Sequence, residues 1–393
     1  MTRKPGRQFF ANPGPTNIPD TVLRAIDHVT VDFNDPDFLE VYDAGVAGMK
    51  RMLHTDGEVF IYTASGHGAW EATMANLFSP GDLVLMPDSG FFSLGWAAIA
   101  KDLGLEVRAV AADWRRGVEV SAIRAALAED TAHRIKAVCL VHNETSTGVT
   151  LNLPEFRAVL DALGHPALLL ADTISSLGSM EFRMKEWGID AVVGGSQKGL
   201  MLPTGFSFTA VSEKAMAAHQ QSRLPKHYFY WTNMMARRQR SFTGTIPTSL
   251  FYGLRESIRL IEEEGLDAVI ARHTRLAEGV RRAIRVWSAN NGPQLYCTDP
   301  ARVSNTVTPI LMPEGYDAEA IRAIALQKFN VALGFGLPPT TGKLFRIGHL
   351  GDLNEPMVLG TLAAVEMAFD IAGVPHGKGG VAAAMAFFAN AAR

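Results

Sequence analysis

The apolar positions of this chain follow two rhythms. Between residues 55 and 210, short and nearly continuous apolar runs recur at 59–62, 83–86, 107–110, 137–141, 168–171, 191–193 and 206–211. Runs of that length predict strands, and continuous rather than alternating hydrophobicity predicts strands buried on both faces. Segments such as 121–129 and Leu153–Leu163 lie between them with helical spacing. Strand and helix therefore alternate as in βαβ units, and the sheet they predict is mostly parallel, flanked by helices. From about 249 to 287 the pattern becomes a long amphipathic helix, with Leu250, Leu254, Ile258, Ile261, Val269, Leu276, Val280 and Ile284 on one face. Beyond it, strands at 306–311 and 344–347 mix with helices at 317–329 and 357–371. A Gly- and Ala-rich stretch from 377 to 384 reads as a loop entering a final short helix. The fold class is α/β, with a large domain over residues 1–265 and a smaller α+β domain over 266–393.

Polar and ionisable residues stand at the carboxyl ends of several runs, where open α/β sheets bind ligands. The run at 191–193 ends in Gly194-Gly-Ser-Gln197-Lys198, and the chain then turns apolar again through Gly199-Leu-Met-Leu-Pro. A lysine among such neighbours is partly desolvated, which lowers its pKa and raises the share of free amine that attacks carbonyls. The same residues fit a turn lysine with its head in water. At Leu168-Leu-Leu-Ala-Asp172 an apolar strand ends in a carboxylate. A buried acid that keeps a pyridinium nitrogen protonated and a lysine that forms an imine are the two groups pyridoxal phosphate chemistry asks of a protein. Asp172 alone also fits an ordinary helix N-cap.

Further constellations agree with this reading. Ser65-Gly66-His67-Gly68 follows a strand and opens a helix, so its backbone N–H groups suit a phosphate. It is not a dinucleotide fingerprint, because Glu71 replaces the third glycine. Phe91-Phe92 falls in a loop after the run at 83–86, where an aromatic face either stacks on a planar ring or joins the core. His142-Asn-Glu-Thr145-Ser-Thr147-Gly148 offers hydroxyls at another strand end. Arg346 lies between Phe345 and Ile347 and points to the opposite face from both; its fork suits a carboxylate or a structural ion pair. Gly336-Leu-Pro-Pro-Thr-Thr-Gly342-Lys343 is one residue too long for a P-loop, and Leu344 replaces its hydroxyl residue. With no H-E-x-x-H, G-x-S-x-G or paired C-x-x-C, zinc and serine-nucleophile chemistry lack support, and no metal is expected.

Composition narrows the setting. At 393 residues, 47% hydrophobic and 20% charged, the chain has ample core for two domains. A net charge of −3 and a pI near 6.4 give no sign of a nucleic-acid or membrane partner. The one basic cluster, Arg237-Arg238-Gln239-Arg240, reads as a solvated face or interface edge. Two cysteines, Cys139 and Cys297, build neither a disulfide framework nor a metal knuckle, so a reducing, cytoplasmic location is expected. The start, Met1 to Arg7, has charge but no apolar stretch behind it, and neither a signal peptide nor a spanning helix is expected.

Together these motifs resemble the class V aminotransferases of pyridoxal-phosphate fold type I, in particular the serine–glyoxylate and alanine–glyoxylate aminotransferase group. The similarity runs through Asn12-Pro-Gly-Pro-Thr-Asn-Ile-Pro19, Gly66 to Glu71, Val141 to Gly148, His165 to Asp172, Phe182-Arg-Met-Lys-Glu-Trp-Gly188, Gly195-Ser-Gln-Lys198, Tyr252-Gly-Leu-Arg255 and Phe345 to Gly351. The resemblance implies pyridoxal 5'-phosphate as cofactor, Lys198 as its Schiff-base lysine, Asp172 as partner of the ring nitrogen, Phe92 stacked on the ring and Thr145 beside the ring hydroxyl. Ser65, Gly66, His67 and Gln197 fall at phosphate-binding positions, Thr245 at one supplied by the other subunit of a homodimer with shared active sites, and Arg346 at the substrate-carboxylate position.

The implied activity is ping-pong transamination from a small amino acid, serine or alanine, to a small 2-oxo acid, glyoxylate foremost. Two departures bear on it. Relatives carry an arginine where this chain has Asn34, followed by Asp35, and a tyrosine near Thr245 where this chain has Phe242. With residues 33–35 at the entrance, Asp35 repels a second carboxylate, and the expected order of donors is serine, then alanine, then aspartate. An aspartate–glyoxylate aminotransferase is the alternative within the class. Desulfurase chemistry wants an exposed cysteine, which Cys139 in an apolar run is not. A non-catalytic cofactor-binding module is the alternative from another class, and the pairing of Lys198 with Asp172 speaks against it.

Overall fold

The computed structural model describes residues 6–236 and 242–392. The charged start at 1–5 and the basic cluster at 237–240 lie outside the described residues. The chain opens with β1 (Phe9–Ala11), α1 (Asp20–Ile26) and α2 (Pro36–Leu53), followed by β2 (Glu58–Ala64), α3 (Gly66–Leu77), β3 (Leu83–Asp88), α4 (Phe91–Asp102), β4 (Glu106–Ala111) and α5 (Val120–Glu129). After β5 (Ile135–Val141) a short hairpin, β6 (Asn143–Glu144) and β7 (Val149–Thr150), precedes α6 (Leu153–Leu163), β8 (Leu168–Asp172), β9 (Ala191–Gly195) and β10 (Gly205–Val211). Helices α7 (Glu213–His219), α8 (Trp231–Met235), α9 (Thr248–Glu264) and α10 (Leu266–Trp287) lead to β11 (Gln294–Leu295), β12 (Val307–Leu311), α11 (Ala318–Phe329), β13 (Val331–Phe335), β14 (Leu344–Gly348), α12 (Glu355–Ala372) and α13 (Gly380–Ala391).

The large sheet has the order β2-β10-β9-β8-β5-β3-β4, and every strand but β10 runs parallel. The exception follows from chain length. Residues 196–204 are too short to cross over the sheet, so the chain returns antiparallel to β9 and β2. Successive strand residues enter opposite cores: Val138 and Leu140 pack with Phe38, Phe156 and Phe251 on one face, whereas Ala137, Cys139 and Val141 pack with Trp70, Trp96 and Trp231 on the other. That double burial is why the runs are continuously apolar.

The smaller sheet has the order β1-β13-β14-β12-β11. Its strand β1, from the start of the chain, pairs parallel with β13, Phe9 opposite Val331. The segment after β1 must therefore pass from this sheet to α1, and in doing so it crosses the carboxyl end of the large one. Phe345 and Ile347 of β14 enter the core beneath the small sheet, so Arg346 faces away from it.

Two local expectations are corrected. The single helix over 249–287 is two helices, α9 and α10, broken at Gly265, whose φ of 87° lies in the left-handed region that favours glycine. Phe91 and Phe92 do not lie in a loop but open α4. Gly90, the N-cap, has no side chain to cap with, and the missing acceptor comes from Glu144 on β6: its carboxylate accepts the N–H of Ser93 at 3.0 Å and, more distantly, that of Phe92 at 3.4 Å.

Candidate active site

Lys198 follows β9 in a turn held by its own polar atoms. Ser196 Oγ donates to Pro203 O at 2.6 Å and accepts the Phe206 N–H at 3.2 Å. The N-terminal segment lies over this turn: Thr16 Oγ1 donates to Lys198 O at 3.0 Å, and Lys198 Nζ donates to Pro13 O at 2.6 Å. Between those contacts is Gly14, where an added Cβ would stand 2.0 Å from Nζ. Burial, with the nearby charge of Arg346, lowers the Lys198 pKa to about 7 against a weaker pull from Asp172. A large share of the amine is thus unprotonated near neutrality.

Asp172 ends β8 and is buried. Its Oδ1 accepts the Ile174 N–H at 2.7 Å and its Oδ2 the Trp70 indole N–H at 2.9 Å. Desolvation raises its pKa to about 7, and these two donors and Lys198 oppose the shift while Glu144 adds to it. A carboxylate so placed is stabilised by a cation brought into the cavity.

Gly66, His67 and Trp70 of α3 line that cavity with Phe92, Asn143, Thr145, Asp172, Gln197 and Lys198. Its volume, about 210 Å³, exceeds a single water's share of roughly 30 Å³ several-fold. Ser65 is the N-cap of α3 but makes no side-chain capping bond, so the helix's first N–H groups are left for another acceptor. An added Cβ on Gly66 would stand 2.4 Å from Ile174 Cδ1, so a side chain there would have to displace the Ile174 side chain. Partial burial lowers the pKa of His67, whose ring lies 4.5 Å from that of Trp70. Thr145 Oγ1 donates to Ser175 Oγ at 2.9 Å.

Arg346 is buried and has no salt bridge among the described residues. Its Nε donates to Phe335 O at 2.8 Å and Nη1 to Thr145 O at 3.1 Å, while Nη2 has no partner among the described residues. Burial lowers its pKa to about 10, which leaves it cationic at neutral pH. It does not line the cavity itself, but its charge is felt by Lys198.

Besides Arg346, three expected residues are absent from the lining of their own chain's cavity. Ser65 and Thr245 are exposed and outside its lining. Asn34 is also exposed, its amide donating to Asp32 Oδ1 at 3.2 Å, and Asp35 caps α2 by accepting the Asp37 N–H at 2.9 Å. The Asp35-Pro36 pair starts this helix, with proline favoured at N1 and aspartate at the N-cap. Cys139 is buried in β5 and burial pushes its thiol far above the usual range, which removes it as a nucleophile.

Sequence reasoning missed Gly14, Trp70, Asn143, Ser175 and the supporting Glu144. Asn143 and Ser175 carried a usable signal, polar residues just past the ends of β5 and β8. Trp70 carried none, since a large apolar residue one turn into a helix reads as core.

The donor set fits pyridoxal phosphate. Uncapped helix N–H groups suit its phosphate, the buried Asp172 carboxylate suits a protonated ring nitrogen, the Phe92 side chain supplies an aromatic wall, and a lysine drawn toward its neutral form suits its aldehyde. Among the described residues no cluster of His, Cys, Asp and Glu could hold a metal ion, and no helix is long and apolar enough to cross a membrane.

Comparison with known proteins gives a consistent result. The family model for class-V aminotransferases matches residues 8–337. A serine–glyoxylate aminotransferase of Methylorubrum extorquens is 44% identical, covering 98% of this chain and 97% of the relative. An L-aspartate–glyoxylate aminotransferase of Paracoccus denitrificans is 42% identical, covering 95% and 94%. Among solved structures, a ureidoglycine–glyoxylate aminotransferase from Bacillus subtilis superposes with a TM-score of 0.89 at 25% identity, over 99% of this chain and 100% of the other.

Proposed function

The chain belongs to the class-V aminotransferases, and from that membership we propose that it transfers the amino group of a small neutral amino acid, serine foremost, to glyoxylate, with pyridoxal 5'-phosphate as cofactor. The observation that carries the reading is the meeting, in one cavity, of a buried lysine drawn down to about pKa 7 and a buried aspartate drawn up to about the same value. When bound, the cofactor supplies an aldehyde that takes up the amino group and a ring that withdraws electrons from the carbon bearing it. Asp172 would hold the proton on the ring nitrogen. The amino end of α3, with Gly66 and His67, and Gln197 would hold the phosphate, while Phe92 would flank the ring and Thr145 its hydroxyl.

Lys198 moves the α-proton of the substrate. An amine whose pKa lies near neutrality accepts a proton as base and returns it as acid at comparable cost, as both half-reactions of a ping-pong cycle require. Arg346 binds the α-carboxylate shared by donor and acceptor, and its anchoring by Thr145 O and Phe335 O pre-sets the fork. Pro13 and Gly14 cover the lysine and limit water around it.

The donor preference rests on the cavity's charges. Among the described residues lining it, Lys198 is the one lysine or arginine, and His67 is pushed toward neutrality. A donor with a second carboxylate would have to share Arg346, whereas serine or alanine would not. The 42% identity to an aspartate–glyoxylate aminotransferase supports the second reading. We further propose a homodimer, supported by the exposure of Thr245 away from its own cavity, in which this residue completes the phosphate end of the neighbouring site. A cytoplasmic setting fits the two unpaired cysteines.

The test is a visible spectrum of the protein with added pyridoxal phosphate, then a donor panel at fixed glyoxylate. Absorbance that bleaches with serine is expected, as is a higher kcat/KM for serine than for aspartate. The reverse ranking would replace the donor, and absence of any bleaching would remove transamination.

A further inference from the structure

Trp70 lines the cavity and is fully buried, yet nothing in the reading above requires it. Its indole N–H donates to Asp172 Oδ2 at 2.9 Å, while the Ile174 N–H occupies Oδ1 at 2.7 Å. The two carboxylate oxygens are therefore held from two different directions, one by a helix and one by the chain leaving β8, and the carboxylate plane is fixed. The same indole lies 4.5 Å from the His67 ring, edge-on to Phe92 at 6.4 Å and stacked on Trp96 at 6.0 Å. One side chain thus joins the acid, the aromatic wall and the helix turn.

We propose that Trp70 is a positioning residue for Asp172, fixing its carboxylate in orientation and keeping it available as an anion for the cofactor's ring nitrogen. The inference rests on the reading that pyridoxal phosphate occupies this cavity. A buried carboxylate tends to take up a proton and become neutral unless N–H donors stabilise its charge. Of the charged groups facing Asp172, Glu144 disfavours ionisation and Lys198 favours it. His142, whose backbone N–H bonds Asp172 O, is kept neutral by burial, its pKa lowered to about 4. The Ile174 donor is backbone and cannot be removed by substitution of its side chain, so the indole is the donor that a variant can delete.

Trp70→Phe retains an aromatic ring and loses the N–H. Titrating the apoenzyme with pyridoxal phosphate from about pH 6 to about pH 9, Kd at neutral pH should rise roughly ten- to hundredfold, the range expected for losing one hydrogen bond to a charged group. The acid limb of binding should move to higher pH, because removing a donor raises the pKa of the carboxylate. In turnover, kcat should fall more than KM rises. The decisive measurement is a double-mutant cycle in Kd with Asp172→Asn: if Trp70 acts through the carboxylate, Trp70→Phe should add little once the charge is gone. Full additivity, or an unshifted acid limb, overturns the inference and leaves Trp70 as packing. Should Trp70→Phe not fold, Trp70→Leu enters the same cycle with the same two outcomes. A parent protein that binds no pyridoxal phosphate removes the reading of the cavity and the inference with it; a parent that binds, with additive variants, overturns the inference alone.

Discussion

At the scale of single residues the site is governed by desolvation. Lys198, Asp172 and Arg346 are all buried, and each has its pKa moved toward the neutral form, yet none is joined to another by a salt bridge. Three charges left this way cost stability in the empty protein and are available to charged groups of a ligand, which is how binding sites differ from structural ion-pair networks. Arg346 makes the point testable. Its contacts are to carbonyl oxygens, so Arg346→Ala should leave the fold intact while weakening both amino and oxo substrates, by about 2–5 kcal/mol in kcat/KM if the pair with the carboxylate is desolvated. Kinetics on donor and acceptor separately would decide; a loss confined to one of them would mean that the α-carboxylate is bound elsewhere.

At the scale of elements, the β6–β7 hairpin is the piece that ties the site together. Glu144 caps α4 and accepts from Ser146 Oγ at 2.6 Å, Thr145 O receives the Arg346 guanidinium, and Gly148 has a φ of 68° that a side chain would strain. The hairpin therefore holds the helix that carries Phe92 through the Glu144 carboxylate and the strand that carries Arg346 through the Thr145 carbonyl. Glu144→Ala should cost on the order of 1–3 kcal/mol, since it strands buried N–H groups at the start of α4. Urea denaturation would show a lowered midpoint, and cofactor affinity should fall with it as Phe92 loosens. An unchanged midpoint would mean that water replaces the carboxylate at that helix end.

Over the whole molecule, the buried histidines set a pH limit. Burial lowers the ring pKa of His142 and His273 to about 4 and that of His349 to about 3. In the unfolded chain they titrate near 6.5, so below that pH the unfolded state binds more protons. The stability they confer is complete above about pH 6.5 and is lost as pH falls toward 4, at up to about 1.4 kcal/mol per pH unit for each. Asp172 runs the other way: its raised pKa confers stability that is complete below its unfolded value of 3.8 and lost as pH rises through about 7. Glu144 and Asp352, also raised by burial, act in the direction of Asp172, whereas His67, His165 and His219, lowered by burial, act with the three deep histidines. His349, bonded to Thr308 Oγ1 at 2.8 Å and Asn305 O at 2.9 Å, is the deepest shift. Replacing it with Gln should flatten the dependence of the urea midpoint on pH between about 6.5 and about 5 by close to one proton; an identical slope would show that the ring is protonated in the native state.

What the sequence by itself determined is what is written within a few residues. A strand buried on both faces must be continuously apolar, so the positions of the large sheet's strands could be read directly, and the direction of parallel strands alone puts Asp172 and the Lys198 turn at the sheet's carboxyl edge. Even Arg346 could be placed on a face by period-two alternation. Tertiary structure decided whatever depends on distant partners. Trp70 reaches Asp172 across 102 positions and Lys198 reaches Pro13 across 185, and no local pattern encodes such a pairing. The arrival of β1 in the small sheet and the carboxylate of Glu144 serving a helix on another segment belong with these. Propensity and periodicity act over one or two turns of chain, whereas the orientation of a buried acid is set by whichever side chains the packed fold brings against it.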